Sequence, residues 1–268
     1  MLAQSHDAGT GGMVFGQAID TATRSGVATV AVDTIEAGGF SDVTMTSQNS
    51  IELDGTLNLT AQKAIRLDAP NLKATNDAVA TLNAGLVGLG NKSTERQGAA
   101  YRDDATTGTG TLTVNAKHIA LDGTLTQQGF ASTTLNSTGD VTMNGVISGT
   151  DYKGAFISGG DITINAARIY PGTLTDFAVE IHNNVAGTIS IGHLDGQSGG
   201  GGAVLSAAGR LAFVAPSIVQ GGTIKAPFGT IELRSESIVR VNDAENRDVR
   251  PIGGKVSLTD GSVTSVSG

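Results

Sequence analysis

The sequence predicts an all-β protein built as a parallel β-helix, and three observations lead to that prediction. The phrase GTLTVNAKHIALDGTL at residues 110–125 returns in altered form at 160–174 and 209–224, so the copies begin 50 and 49 residues apart. Apolar and polar residues alternate through much of the chain, and no stretch sustains the 3.6-residue period of a helix. Glycine contributes 38 of 268 residues, which suits a fold with many turns. Repetition at this scale is typical of a solenoid.

The first copy shows how one repeat is expected to fold. Leu112, Val114 and Ala116 alternate with polar residues, as in a strand that buries one face. The next apolar residue, Ile119, follows after three positions rather than two, so residues 117–118 are predicted to form a corner. The two-residue period then resumes, which predicts a second strand beyond the corner.

Equivalent residues in the three copies are predicted to face one interior stack. A looser fourth copy at residues 57–69 carries one additional residue at its corner. In each of the three main copies a small residue precedes the corner and an isoleucine follows it. These positions are Ala116, Ala166 and Ala215 before the corner and Ile119, Ile169 and Ile218 beyond it.

Recurring glycines predict the length of one coil. Successive glycines lie 29, 21, 27, 22, 20 and 25 residues apart, so a coil takes 20–29 residues. That length accommodates two or three short strands with their corners. A β-sandwich is disfavoured because it requires hairpins with two-residue turns such as Asp-Gly. The two LDGT segments, at residues 53–56 and 121–124, contain Asp-Gly, but the repeat places each of them within a coil rather than at a hairpin. The glycines are Gly110, Gly139, Gly160, Gly187, Gly209, Gly229 and Gly254.

The pattern divides the chain into two parts. Residues 1–38 are weakly patterned and form an N-terminal segment or the first coils, with the first strand expected at 27–32. Residues 39–268 are predicted to form the β-helix. Charged or glycine-rich interruptions predict loops extruded at corners, near residues 91–109, 148–157, 196–203 and 241–251.

Charge and composition limit the partners. The formal net charge of −8 argues against nucleic acid or an anionic membrane as a partner. The absence of cysteine excludes disulfides and thiolate metal sites. The N-terminus lacks the basic and apolar regions of a signal peptide, and no apolar run approaches the length of a membrane helix, so no membrane insertion is expected. Both ends are interpreted as cut points within something longer.

Two segments resemble a known family. APSIVQGGTIKAPFGTIEL at residues 215–233 and DGSVTSVSG at 260–268 are similar to a shared module of large secreted proteins of the filamentous haemagglutinin type. The resemblance extends over roughly residues 39–268. It implies a right-handed parallel β-helix exported to the Gram-negative cell surface by two-partner secretion, through an outer-membrane partner transporter. The Asn-Pro-rich signature of the family's secretion domain has no match here, so the chain is expected to be an internal shaft segment.

The resemblance implies a structural and adhesive function rather than catalysis. The expected function is attachment to host cells or surfaces, as in virulence-associated cell adhesion, with a host-cell receptor or glycan as partner. One alternative is the shaft of a contact-dependent toxin-delivery exoprotein. Another is a β-helical protein that binds or degrades polysaccharide.

No motif predicts a cofactor, a metal or an enzyme. GLVGLGNKST at residues 85–94 approaches a phosphate-binding loop, but Asn91 separates the last glycine from the lysine and no helix follows, so a strand entering a charged loop is the better interpretation. The four histidines lack metal-ligand spacing, and His118 is expected at a solvated corner. No Gly-x-Ser-x-Gly elbow is present.

One group of residues is a candidate for glycan or receptor contact. Cleavage of a glycosidic bond requires two acidic groups about 5–10 Å apart, and the only compact acidic candidate lies in the loop at 91–109. The segment Asp-Tyr-Lys at residues 151–153 is expected to stack near it. A solvated loop without function is the competing interpretation. The candidate residues are Tyr101, Arg102, Asp103, Asp104, Asp151 and Tyr152.

Overall fold

The computed structural model describes residues 1–5, 28–200, 202–240, 248–249 and 254–268. Over these residues the chain is all-β, as predicted, with strands joined into a long and mostly parallel sheet. The one α-helix described, α1, spans Val32–Ala37. Two short 3-10 helices span Thr94–Arg96 and Ala99–Tyr101.

The strands vary from two to 32 residues, and the longest ones turn corners without losing their pairing. They are β1 (Leu2–Ala3), β2 (Val30–Ala31), β3 (Asp42–Thr46), β4 (Ser50–Thr60), β5 (Ala64–Asp68), β6 (Asn71–Asn91), β7 (Thr106–Ser137), β8 (Asp140–Asn144), β9 (Val146–Ser148), β10 (Asp151–Ser158), β11 (Asp161–Asn165), β12 (Arg168–Pro171), β13 (Thr175–Ile181), β14 (Thr188–Gly192), β15 (Arg210–Ala215), β16 (Ser217–Gln220), β17 (Thr223–Lys225), β18 (Thr230–Ser235), β19 (Val239–Arg240), β20 (Asp248–Val249), β21 (Lys255–Leu258) and β22 (Val263–Ser265).

Pairing sorts the strands into three stacks that the chain visits in turn. Stack 1 contains β3, β5, residues 86–90 of β6, residues 118–122 of β7, β8, β12, β17 and β22. Stack 2 contains residues 50–54 of β4, 71–75 of β6, 124–128 of β7, β10, β13, β15 and β18. Stack 3 contains residues 56–60 of β4, 79–83 of β6, 111–115 and 132–136 of β7, β11, β14, β16 and β21. Along the β6–β7 pair the residue numbers rise together, from Val79 opposite Thr111 to Asn91 opposite Gly123.

The core is formed by apolar side chains that recur at the same register position in successive strands. Burial of each larger side chain contributes about 1.5–3 kcal/mol. Strands separated by 22 to 55 residues in sequence thus share one apolar row. In stack 1 this row is Val43, Ile65, Val87, Ile119, Val141, Ile169 and Ile224, each at most 8% exposed.

The predicted interior isoleucines are confirmed, but one lies in a different stack. Ile119, Ile169 and Ile218 are each 0% exposed. The first two belong to the row of stack 1, whereas Ile218 lies in stack 3 opposite Ile189. The third copy of the repeat therefore begins one stack earlier than the other two. The corners between stacks share the same pattern, a small residue followed by a shifted apolar phase, so sequence alone cannot separate them.

A ladder of asparagines follows the outer side of stack 3. The Nδ2 of each asparagine after the first donates a hydrogen bond to the Oδ1 of the asparagine in the preceding coil, and each side chain but the first is only partly exposed. Side-chain amides suit such a ladder because each offers both a donor and an acceptor. The bonds run from Asn83 to Asn58 (2.8 Å), from Asn115 to Asn83 (3.0 Å), from Asn136 to Asn115 (3.0 Å) and from Asn165 to Asn136 (2.9 Å).

Strand β15 of stack 2 is buried on both of its faces. Leu211 and Phe213 face the main core, and the alternate residues Ala212 and Val214 pack with Ile238 in a second cluster. A strand buried on both faces is expected to be continuously apolar, which explains LAFVA in β15. Ile238 belongs to the segment before β19. Of the predicted loop at 241–251 only Asp248–Val249 is described, as strand β20 paired antiparallel with β19; residues 241–247 and 250–251 are outside the described residues.

The N-terminal end differs from the predicted strand at 27–32. Only Val30–Ala31 is a strand there, and residue 27 is outside the described residues. Helix α1 follows at once and turns Val32 and Ile35 into the core, at 0% and 9% exposed. A spacing of three residues places both side chains on one face of a helix, but six residues are too few for a periodic signal.

One corner between stacks 1 and 2 holds three non-glycine residues in left-handed backbone conformation. Leu174, Ala208 and Phe228 have φ of 56°, 55° and 56°. Backbone hydrogen bonds link the successive turns: Leu174 N donates to Ala207 O (3.0 Å) and Ala208 N donates to Pro227 O (2.8 Å). Both large side chains point to solvent, since Leu174 is 63% and Phe228 76% exposed. Left-handed conformation costs about 1–2 kcal/mol for a residue with a Cβ, so these positions are strained.

We therefore expect Phe228→Gly to raise the free energy of unfolding by about 0.5–1 kcal/mol, because glycine relieves the strain and little apolar burial is lost. Denaturant melts in dilute solution measure the change. Val185→Gly is the control: Val185 is 71% exposed but is not among the residues with positive φ, so its replacement should destabilise slightly. A Phe228→Gly protein that is less stable than the parent would contradict the assigned strain.

The described residues of the predicted loop at 196–203 lie along stack 1; residue 201 is outside the described residues. Arg168 Nη1 donates to Ala203 O (3.2 Å) and Lys225 Nζ donates to Gly202 O (2.7 Å). Val204, just beyond, is 7% exposed. This glycine-rich segment is therefore held against the stack by two basic side chains.

Candidate contact surface at residues 92–105 and the β9–β10 hairpin

The segment between β6 and β7, residues 92–105, is anchored by a buried arginine. Arg96 is 4% exposed; its Nη2 lies 3.0 Å from Asp68 Oδ1, and its Nη1 donates to Ser47 O. Asn91 Nδ2 in turn donates to Arg96 O (2.8 Å). The sequence predicts an extruded charged loop at 91–109, and the structure differs: the segment is packed against the sheet, because the partners of Arg96 lie in strand β5 and in the turn after β3.

A buried asparagine holds the second half of this segment. Asn71 is 2% exposed, and its Nδ2 donates to Tyr101 O and to Asn49 O, both at 2.8 Å. Its Oδ1 accepts from Asp103 N at 2.9 Å. Gln128 Nε2 donates to Asp104 O at 3.0 Å. The backbone of the candidate residues 101–104 is therefore fixed to strands of stack 2.

The predicted loop at 148–157 is mostly a β-hairpin. β9 pairs antiparallel with β10, with Ile147 opposite Tyr152 and a two-residue turn between the strands. Tyr152 is 44% exposed, and Lys153 Nζ lies 3.1 Å from Asp151 Oδ2. The later part of β10 also pairs with β7 and β13, and its Phe156 is buried, which explains why the segment is strand.

The anchored segment and the hairpin meet at Gly123. A Cβ on Gly123 would lie 3.0 Å from both Gln97 Nε2 and Val146 Cγ2, and 2.1 Å from Asn91 O. The residue also has a φ of +60°, a conformation that glycine adopts without strain. The absence of a side chain thus lets residues of both segments approach β7 at one place.

The six predicted contact residues therefore lie on two adjoining segments. Tyr101 is 37% exposed, Asp103 forms an ion pair with Lys73 at 2.9 Å, and Asp104 is exposed. Arg102 is partly buried, and Asp151 and Tyr152 are exposed on the hairpin. Each segment offers one tyrosine, with an apolar ring and a hydroxyl, and a nearby aspartate that is ion-paired with lysine. Such a surface is suited to contact with a polar partner.

A shallow cleft on the outer side of stack 1 was not found by sequence reasoning. It holds about 60 Å³, and Gly88 and Gly90 lie in it where neighbouring strands carry side chains. Lys92 Nζ lies 3.2 Å from Asp122 Oδ2 at its edge. In the sequence, this cleft corresponds to the glycine-rich segment 85–94. The prediction that this segment is a strand is confirmed, because β6 continues to Asn91. The remaining lining residues are Thr44, Arg66, Leu67 and Asp68.

A second charged cluster on stack 1 is structural. Arg168 makes two hydrogen bonds of 2.8 Å to the carboxylate of Asp140, and Tyr170 donates to the same carboxylate at 3.1 Å. The hydrogen bonds that Arg168 donates to Asp140 raise the pKa of Arg168, and burial raises the pKa of Tyr170. These groups join β8 to β12. His118, one strand earlier, is partly buried, with Nε2 3.0 Å from Thr142 Oγ1.

Two further properties concern the described residues as a whole. No three His, Asp or Glu side chains among them are arranged to hold a metal ion. No helix in these ranges has the length and apolarity needed to cross a bilayer.

Comparison with known proteins finds no match for this chain among protein-family models, curated proteins or solved structures.

Proposed function

We propose that the chain is a right-handed parallel β-helical shaft segment of a large secreted bacterial surface protein, and that it mediates attachment to a host-cell receptor or glycan. The observation that carries the proposal is the order in which the chain visits the three stacks. β8 of stack 1, β10 of stack 2 and β11 of stack 3 follow one another, and each pairs in parallel with the next coil. Parallel crossover connections are right-handed in about 98% of cases, which supports the handedness.

The shape supports a shaft. Stack 1 has eight described strands, and a spacing of about 4.8 Å between strands gives a length of roughly 34 Å for them. Within each stack a strand pairs with the strand before it and the strand after it, so further coils would lengthen the rod without changing its cross-section. The location at a Gram-negative surface and export by an outer-membrane partner transporter are proposed on the resemblance of residues 215–233 and 260–268 to filamentous haemagglutinin-type proteins; no family model matches the chain.

The surface of Tyr101 and Tyr152 is the proposed contact region. Both rings are exposed, and both sit on backbone that is held in place, by Asn71 in one case and by pairing with β9 in the other. Exposed aromatic side chains on a fixed backbone bind with little loss of conformational freedom. Since Asp103 and Asp151 are each ion-paired with a lysine, binding is favoured over cleavage of a polysaccharide.

Immobilised chain should therefore retain host epithelial cells or members of a glycan panel, and Tyr101→Ala/Tyr152→Ala should reduce retention at least tenfold with little change in the melting temperature. The reduction follows from removing two exposed aromatic contacts, each worth about 1 kcal/mol or more. Phe40→Ala is the matched control, because Phe40 is an aromatic residue 60% exposed near the N-terminal end. Equal retention by the double variant and the parent would refute the assigned surface. Release of soluble sugar from a bound polysaccharide would favour the degrading alternative.

A further inference from the structure

The strained corner between stacks 1 and 2 is also the site of a concentrated apolar surface. Leu174, Leu205 and Phe228 are 63%, 97% and 76% exposed, and Val266 is 48% exposed. Backbone hydrogen bonds tie the four turns together, the last running from Phe228 N to Val266 O at 2.9 Å. We call these four residues, with Ala208 and Ser267 between them, the corner patch.

The corner patch does not stabilise the fold through its large side chains. Left-handed backbone at Leu174 and Phe228 is unfavourable for any residue with a Cβ, and the exposed rings and methyl groups gain little burial. Glycine would satisfy the local conformation better at both positions. Strain that is not repaid within the fold points to a role in binding.

The corner patch is also free of charge in a chain with a net charge of −8. The turns at residues 171–175, 203–209, 226–229 and 265–268 contain no Asp, Glu, Lys or Arg. Two copies of an acidic chain repel each other over most of their surfaces. The corner patch itself brings no like-charged side chains together when two copies approach.

The side chains of the corner patch alternate in size along the stack. The left-handed positions Leu174, Ala208 and Phe228 follow one another, and the register of the hydrogen bonds places Ser267 next in the row. The order is therefore large, small, large, small. When a second identical row runs in the opposite direction, Leu174 meets Ser267, and Ala208 meets Phe228. Each large side chain then lies against a small one, in both directions, as a two-fold axis requires.

We propose that the corner patch is a self-association surface, through which two copies of this chain pack side by side in antiparallel orientation. Phe228 of each copy lies over Ala208 of the other, and Leu174 of each lies over Ser267. The patch is smaller than a standard protein interface, so the dimer forms at high local concentration and dissociates on dilution. The inference goes beyond the adhesive role and does not depend on it.

Sedimentation equilibrium over a wide concentration range tests the proposal. The parent chain should shift from the mass of one chain towards that of two as its concentration rises. Phe228→Asp should remain a single chain at the highest concentration, with its fold preserved, because Asp tolerates left-handed backbone better than Phe. Val185→Asp carries the same change of charge at an exposed apolar site elsewhere, and should dimerise like the parent.

A cross-linking experiment tests the proposed orientation. The chain has no cysteine, so a mixture of Ala208→Cys and Phe228→Cys chains should form a disulfide-linked heterodimer, and pairing either with Val185→Cys should not. A parent chain that stays monomeric, or Phe228→Asp and Val185→Asp chains that dimerise equally, would overturn the proposal. Flotation of the monomeric parent, but not of Phe228→Asp, with phosphatidylcholine vesicles would assign the patch to a bilayer instead.

Discussion

Replacing Ile169 by Asp is expected to lower the free energy of unfolding by about 4 kcal/mol or more, enough to unfold many domains. Ile169 is 0% exposed and lies between Val141 and Ile224 in the apolar row of stack 1. The substitution removes about 1.5–3 kcal/mol of burial and places a carboxylate where the adjoining side chains of the row offer it no hydrogen bond. Denaturant melts followed by circular dichroism give the change.

A conservative variant and a surface variant provide the comparison for this change in the free energy of unfolding. Ile169→Val should cost only about 0.5–1.5 kcal/mol, because one methylene is lost from a packed site. Asp103→Ala should cost less than about 1 kcal/mol, because its ion pair with Lys73 is at the surface. If Ile169→Asp proved as mild as Asp103→Ala, the assignment of this row to the interior would be wrong.

Arg96→Ala is expected to lower the free energy of unfolding by about 3 kcal/mol, through a different mechanism. Arg96 is 4% exposed, and its removal leaves the Asp68 carboxylate, which is 20% exposed, without its guanidinium partner. Breaking a buried ion pair from one side costs about 3–5 kcal/mol, and the partial exposure of Asp68 places this case at the lower end. Chemical denaturation of the chain and proteolysis within residues 92–105 should both show this loss of stability.

Glu95→Ala is the control for Arg96→Ala, because Glu95 is the exposed neighbour on the same 3-10 helix. It should change stability by no more than about 0.5 kcal/mol. If Arg96→Ala changed stability as little as Glu95→Ala, the segment would behave as the extruded loop that the sequence predicts, and its packing against β5 would not contribute to stability.

Short-range periodicity was sufficient to predict the strands of the main repeats and the interior isoleucines. A strand that buries one face imposes alternation on its own residues, so Leu112, Val114 and Ile119 carry the signal within eight positions. The placement of Ile218 could not be obtained in this way. Which stack a strand joins depends on its partner tens of residues away, and the local pattern is the same in all three stacks.

The exposed residues of the candidate contact surface were predictable from the sequence, but the buried residues that hold its backbone in place were not. Tyr101 and Tyr152 interrupt the apolar pattern, which marks them as surface residues. Asn71 appears in the sequence as an ordinary turn residue. Its role arises because folding brings Asn49 and Tyr101 to it from 22 and 30 residues away. Buried polar side chains of this kind are recognised only once the pairing is known.

The asparagine ladder of stack 3 bears on how errors are corrected while the chain folds. A parallel stack with a uniform apolar row could accept a coil displaced by two residues, since the apolar face would still point inward. Asn115 and Asn136 each bond to the coil before and the coil after, so such a displacement would break two amide bonds at once. A wrongly seated coil would therefore be less stable than the correct one even with its apolar side chains covered, and the ladder favours the native register over the displaced one.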